Sequence, residues 1–178
     1  MKIIKRMSLL LLLVAFIGLM GFNEPAFAAG KPTVPPAWYQ KLSANKRFQL
    51  VLDGEAVLDR ETGLVWERSP DTTLRNWYQA IFHCYNMNLG GRKGWRLPTV
   101  EELASLIDPT QSNPALPAGH PFQNVQSFWY WSATTLAFAG YTGDAWGVYF
   151  NVGSVDNDAK SINGYVWCVR GGQGYDGQ

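Results

Sequence analysis

Short apolar runs separated by turn signals begin at Arg47. The segment RFQLVLDGEAVLDRETGLVWER (47–68) contains runs rich in Val, Leu and Phe, with Asp53-Gly54 and Thr62-Gly63 between them. Such dipeptides between apolar runs are typical of hairpins. The pattern therefore predicts two or three antiparallel strands.

A helix is predicted after this strand region. Asn76 with Gln79 three residues later resembles a capping box, and the run ends at Gly90-Gly91. Between these limits, apolar residues recur at the spacing of one helical face. That face consists of Trp77, Ala80, Ile81, Cys84 and Met87. Cys84 should therefore point toward the core.

GWRLPTVEELASLID (94–108) predicts a second helix. Thr99 is its N-cap, Glu102 is the side chain that returns to the cap, and Asp108-Pro109 is its end. The buried face consists of Val100, Leu103, Leu106 and Ile107. Residues 109–127 contain four prolines and predict a long loop.

The remaining sequence is rich in strand-forming residues. FWYWSAT (128–134), AWGVYFNVG (145–153) and GYVWCVRG (164–171) have strand composition. Gly, Asn and Asp residues mark the connections between them, including a hairpin loop after the second segment. Strands, two helices, a long loop and further strands together predict an α+β domain.

The N-terminal 28 residues have the pattern of a secretory signal peptide. Lys2, Lys5 and Arg6 precede an apolar run, and Ala26-Phe27-Ala28 is a small-x-small cleavage site. We expect a secreted or periplasmic protein without stable membrane insertion after cleavage. An uncleaved anchor is the alternative.

The mature chain divides into three parts. Residues 29–46 are predicted to form a proline-containing linker, 47–172 the domain, and 173–178 a Gly-rich tail. After Ala28 the chain carries 12 Lys and Arg against 13 Asp and Glu, which does not predict nucleic-acid binding. The stretch from Leu97 to Ala159 has no Lys or Arg, so it favours neutral ligands over sulfated polysaccharides.

Cys84 and Cys168 are the two cysteines of the chain. An even number in an exported protein favours a disulfide. A loop of this size would contribute roughly 4 to 5 kcal/mol to stability in the chain-entropy model. A free catalytic thiol is the alternative.

Several motifs of this chain occur in a recognisable order. DRETGLVWER, GGRKGWRLPTVEEL, YWSAT, AWGVYFNVG and VWCVRGG are arranged over about residues 47–172. This arrangement resembles the bacterial Lcl C-terminal domain family. GWRLPT-x-x-EL is also similar to an element of formylglycine-generating-enzyme-like domains. Both resemblances imply a C-type lectin-like fold, with two helices packed on short antiparallel sheets.

Aromatic residues are concentrated between positions 129 and 149. Alternate residues of a strand face opposite sides, so some rings belong to the core, and the pattern does not decide which. Exposed rings beside Asp and Asn suit stacking on sugars or packing against a protein. We expect a ligand at loops 132–146 and 151–160; the alternative is that most rings are buried. The candidate ligand residues are Trp131, Tyr141, Asp144, Trp146, Tyr149 and Asn151.

Calcium is the one candidate ion. Asp156, Asn157 and Asp158, with Asn151 nearby, supply the oxygen ligands that calcium prefers. The regular DxDxDG spacing is absent, and an Asx-rich loop is common without any ion. No other cofactor is expected.

Arg96 lies between apolar neighbours, just before the second helix. Its guanidinium offers five donors, so it suits a carboxylate at the helix start or neighbouring carbonyls. We expect Arg96 to have a structural role with Thr99 and Glu102. An anion-binding role is the alternative.

The sequence favours an exported, non-catalytic domain that binds a glycan or a protein. His83 and His120 share no metal-ligand spacing or nucleophile motif, so no catalytic residue is assigned. Two alternatives are a structural or assembly component of the cell envelope and an enzyme on a formylglycine-generating-enzyme-like scaffold. The enzyme would need a second active cysteine near Cys168. The oligomeric state is left open.

Overall fold

A computed structural model describes residues 42–138, 140 and 142–171. The predicted signal peptide, most of the predicted linker, the predicted tail and Tyr141 lie outside the described residues. Within the described part, no helix is long and apolar enough to cross a bilayer.

The first sheet has four antiparallel strands in the order β1-β2-β3-β7. These strands are β1 (Phe48–Val51), β2 (Ala56–Asp59), β3 (Val65–Glu67) and β7 (Val169–Arg170). The prediction of two or three antiparallel strands in residues 47–68 is therefore confirmed, and three strands form. The predicted strand 164–171 is paired as a ladder only over its last part, because Gly164 and Tyr165 form isolated bridges to Arg75 and Tyr130.

A short helix, α1 (Ala44–Arg47), overlaps the end of the predicted linker and belongs to the fold. Arg47 is 1 % exposed and its guanidinium binds Asp59 through two hydrogen bonds of 2.8 and 2.6 Å. The same side chain donates to the carbonyl of Ser105 at 2.9 Å. This buried ion pair holds α1 against the first sheet, so the domain begins before Arg47.

The second sheet consists of β4 (Trp129–Thr135), β5 (Asp144–Tyr149) and β6 (Ser154–Ala159), all antiparallel. β6 lies in the predicted ligand loop 151–160, so that loop prediction is wrong for most of its length. Each residue of β5 pairs with one of β6. This backbone pairing outweighs the weak strand propensity of Asp and Asn.

Both predicted helices are present, and both capping boxes are confirmed. The first, α2, spans Trp77–Asn86, and the second, α3, spans Val100–Ala104. α3 is shorter than its apolar pattern predicts. Leu106 and Ile107 bond to carbonyls three residues earlier, so the chain continues in tighter turns after Ala104.

The second sheet separates two apolar clusters. Tyr130, Val148 and Phe150 belong to one cluster, with Trp66 and Trp167 of the first-sheet region. The other cluster contains Trp129, Trp131, Ala145, Cys84 and Cys168. Both faces of β4 are therefore covered.

A disulfide joins Cys84 of α2 to Cys168, as the sequence predicted. Both cysteines are fully buried. The bond closes a loop between residues 84 positions apart and ties the inner face of α2 to the chain that enters β7. The α+β class with antiparallel sheets and one disulfide is thus confirmed.

Candidate functional site

Trp131 is not a surface ring, contrary to our expectation. Its side chain is fully buried, and its indole N–H donates to the carbonyl of Arg75 at 3.0 Å. It packs edge-on against Trp129 with 5.3 Å between ring centroids. A β-carbon at Gly147 would overlap the ring of Trp129, so the sheet is closely packed here.

The other predicted ligand residues that the structure describes are divided between two faces of the sheet. Asp144 and Trp146 share one face of β5, and Asn157 of β6 pairs with Trp146 across the strands. All three are half-buried. Tyr149 faces the other side and packs against Trp129 at 4.8 Å. Asn151 lies in the turn after β5, where its side chain accepts the N–H of Val152.

The predicted calcium ligands do not converge. Asp156 and Asp158 project from one face of β6, and Asn157 projects from the other. Each Asp accepts the backbone N–H of the residue that follows it, at 2.8 and 2.7 Å. Among the described residues, no group of three or more His, Cys, Asp or Glu side chains is arranged to hold a metal ion. These residues therefore do not fit a calcium site.

Arg96 has the contacts expected of a structural arginine. Its guanidinium binds both carboxylate oxygens of Glu102, at 2.7 and 2.6 Å, and donates to the carbonyl of Gly171 at 2.8 Å. Glu102 also accepts the N–H of the cap residue Thr99. Burial alone would raise the pKa of Glu102, but the hydrogen bonds from Arg96 and Thr99 hold it below its usual value.

The outer face of α2 carries a row of exposed rings that the sequence analysis did not assign. Tyr78, Phe82 and Tyr85 are 65 %, 70 % and 75 % exposed. They follow one another at helical spacings of four and three residues, so they share one face. Leu74, just before the helix, is also exposed. We define the outer face of α2 by these four residues.

Part of this face borders an open groove of about 820 Å³. Leu74, Tyr78, Phe82 and Met87 form its apolar walls. Its polar lining consists of Thr73, Arg75, Gln79, His83 and Asn86. The groove volume lies within the range of pockets that bind drug-sized ligands, but its shape is open along the helix.

On the polar side of the groove, Arg75 and Asp71 form an ion pair with no net charge. Arg75 binds both carboxylate oxygens of Asp71, each at 2.8 Å. These hydrogen bonds lower the pKa of Asp71 to about 2. Burial lowers the pKa of His83, so this imidazole is neutral at pH 7. The groove therefore offers rings and amides without a net charge.

The sequence of α2 carries a signal for this exposed face. In WYQAIFHCYN (77–86), apolar residues occupy the inner face and rings occupy the opposite face. A helix that is apolar on all sides is usually covered on all sides. Here the inner face is fixed by the disulfide, while the rings of the outer face remain open to solvent.

Comparisons with known proteins identify the family of this chain. A search of curated proteins finds no match. The family model of the Lcl C-terminal domain matches residues 55–170. This range includes both sheets except β1, the helices α2 and α3, and the two cysteines. This chain belongs to the Lcl C-terminal domain family.

Proposed function

We propose that this chain is an exported, non-catalytic ligand-binding domain with a C-type lectin-like fold, and that an apolar protein surface binds to the outer face of α2. The observation that carries the proposal is the row of Tyr78, Phe82 and Tyr85, each at least 65 % exposed on one helical face. Rings of this kind are the residues that contribute most to protein interfaces.

Charge and hydrogen bonding favour a protein surface over a polar ligand. Arg75 and Asp71 are already paired, and the side-chain amide of Asn86 donates to the carbonyl of Phe82. Gln79 is used in the capping box of α2. Because these polar groups have partners, the rings supply most of the binding energy that the face can offer.

The disulfide and the family support the remaining parts of the proposal. A buried disulfide is typical of proteins that fold in an oxidising compartment, which supports a secreted or periplasmic location. With both sulfurs bonded to each other, no thiol remains for cysteine chemistry. The pairing of β7 with the N-terminal strands supports the C-type lectin-like fold that the family resemblance implies.

A neutral glycan on the face of β5 and β6 is a second candidate. Trp146, Asp144 and Asn157 lie together there, and a ring beside hydroxyl-binding side chains suits stacking on a sugar. Trp146 is half-buried, so this surface offers less ring area than the outer face of α2.

A differential capture experiment tests the proposal. The mature protein is immobilised and exposed to envelope extract, alongside Phe82→Ala and the matched control Phe138→Ala. Phe82 and Phe138 are 70 % and 73 % exposed in different regions, so the two substitutions remove the same ring from equally open sites.

We expect one protein to be retained by the wild type and by Phe138→Ala, and to be retained at least tenfold less by Phe82→Ala. A single partner of this kind would make the chain an assembly component of the envelope. Equal retention by all three proteins would contradict the proposal. Binding to a neutral-glycan array that is lost in Trp146→Ala and kept in Phe82→Ala would favour the second candidate.

A further inference from the structure

A second cavity, separate from the outer face of α2, contains a buried carboxyl group that has no cationic partner among the described residues. The cavity has a volume of about 260 Å³. It is lined by Gly54, Glu55, Glu67, Arg68, Ser69, Leu89 and Gln123. Glu67 of β3 is 6 % exposed, so its carboxyl group reaches this cavity from inside the domain.

The hydrogen bonding of Glu67 is weak for such a buried group. Its Oε2 accepts the N–H of Cys168 at 3.4 Å. Within residues 42–138 and 142–171, no lysine or arginine nitrogen lies within 4.0 Å of the Glu67 carboxyl group. A buried carboxylate without a partner is costly, and natural proteins usually pair it.

The rest of the lining is rich in hydrogen-bond acceptors. The Glu55 carboxylate lies at the rim, where it accepts the N–H of Gly90 at 2.7 Å. Ser69 and Gln123 add a hydroxyl and an amide. Arg68 is the one cation among the described residues of the lining, and its guanidinium donates to the carbonyls of Gly54 and Pro121. Leu89 supplies an apolar wall.

We propose that this cavity binds the protonated primary amine of a short alkyl chain, with the ammonium group on Glu67 and the chain on Leu89. An ammonium group has three donors and no acceptor, so it matches the acceptors of the lining. The cavity is smaller than typical drug-binding pockets, which limits the ligand to a small amine or a single lysine side chain.

Electrostatics agree with this geometry. The pKa of Glu67 is raised from 4.5 to about 7, chiefly by burial and to a smaller extent by the Asp71 carboxylate, although the Cys168 N–H and Arg75 act to lower it. A bound ammonium group stabilises the charged carboxylate. Amine binding should therefore be stronger at pH 8 than at pH 5, where Glu67 is protonated.

NMR titration of the mature protein with n-butylammonium chloride at pH 8 tests the inference. We expect saturable shifts of the Ser69, Leu89 and Gln123 amides, with at least tenfold weaker binding to Glu67→Gln and at pH 5. Binding to Phe138→Ala should match the wild type. Glu67→Gln keeps the shape of the side chain and removes a buried charge, so it should fold.

A second variant places a lysine ammonium group at the rim of the cavity by substitution within the chain. Gln123 is exposed at the rim of the cavity. Its backbone N–H, and not its side chain, donates to the backbone carbonyl of Arg68. Gln123→Lys should lower the pKa of Glu67 and abolish the response to n-butylammonium. An unchanged pKa of Glu67 in this variant would count against the site.

A second probe distinguishes a lysine side chain from a free amine as the source of the ammonium group. Tighter binding of Nα-acetyl-lysine amide than of n-butylammonium would identify a lysine side chain, and weaker binding would identify a free amine. Equal shifts with n-butanol, no saturable shifts with either amine, or saturation of the same amides by calcium chloride alone would overturn the inference.

Discussion

Two aromatic-rich segments of this domain are used in opposite ways. Trp129, Tyr130 and Trp131 of β4 are at most 1 % exposed, whereas Tyr78 and Phe82 of α2 are 65 % and 70 % exposed. The β4 rings alternate between two faces, and an apolar cluster covers each face. Only one face of α2 is covered. A high density of rings therefore does not by itself predict a binding surface. A binding surface is indicated when one face of the element is left uncovered.

Substitution of a β4 ring should give the largest effect. Trp131→Ala removes a fully buried indole and its hydrogen bond to Arg75, so we expect a loss of about 4 kcal/mol in the free energy of unfolding. Denaturation in guanidinium chloride measures it. A loss below about 1 kcal/mol would show that the ring is not part of a packed core.

Protonation of Glu67 should change the stability of the domain and leave the outer face of α2 unchanged. Its pKa of about 7 exceeds the usual 4.5, so the folded protein holds a proton that the unfolded chain releases between these pH values. The free energy of unfolding should therefore fall by about 3 kcal/mol as the pH rises from 4.5 to above 7.

Glu67→Gln should remove this dependence and raise the thermal midpoint at pH 8, while capture of the partner stays at the wild-type level. Thermal unfolding at pH 4.5, 6 and 8 measures the first effect. If the variant and the wild type keep parallel pH profiles, Glu67 is not the group that titrates.

Removal of the Arg96 side chain should have an intermediate effect. Arg96→Met breaks the paired hydrogen bonds to Glu102 and the bond to Gly171, so we expect a loss of about 2 kcal/mol. Arg92→Met, at an exposed position, is the control. An Arg96→Met protein of wild-type stability that no longer binds its partner would instead favour an anion-binding role.

Substitution on the outer face of α2 should have the smallest effect on stability. Phe82→Ala and Phe138→Ala should each change the free energy of unfolding by less than about 0.5 kcal/mol, because both rings face solvent. Denaturation curves check this before any binding comparison. A loss of about 2 kcal/mol in Phe82→Ala alone would mean that this ring stabilises the fold.

Local signals in the sequence predicted the elements that depend on neighbouring residues. The capping boxes at Asn76 and Thr99 and the hairpin turns near Asp53 and Gly63 all depend on contacts within a few positions. The disulfide was also predicted, because only two cysteines exist and Cys84 lies on the inner stripe of α2. Family motifs then indicated the domain as a whole.

Features that depend on distant pairing could not be predicted. β6 forms because Ser154–Ala159 pairs along the whole of β5, although its sequence resembles a loop. We expected Trp131 at the surface, because the alternation of side chains along β4 does not show that both faces of the strand are covered. The cavity at Glu67 joins residues from four separate parts of the chain, and no short motif marks it.

Hydroxyl-radical footprinting with and without the captured partner tests the central claim most directly. In the free protein, Tyr78, Phe82 and Tyr85 should be oxidised readily, and Trp129, Tyr130 and Trp131 should not. The partner should protect the three α2 rings and leave Phe138 reactive. Protection of Phe138 with continued oxidation of the α2 rings would contradict the account.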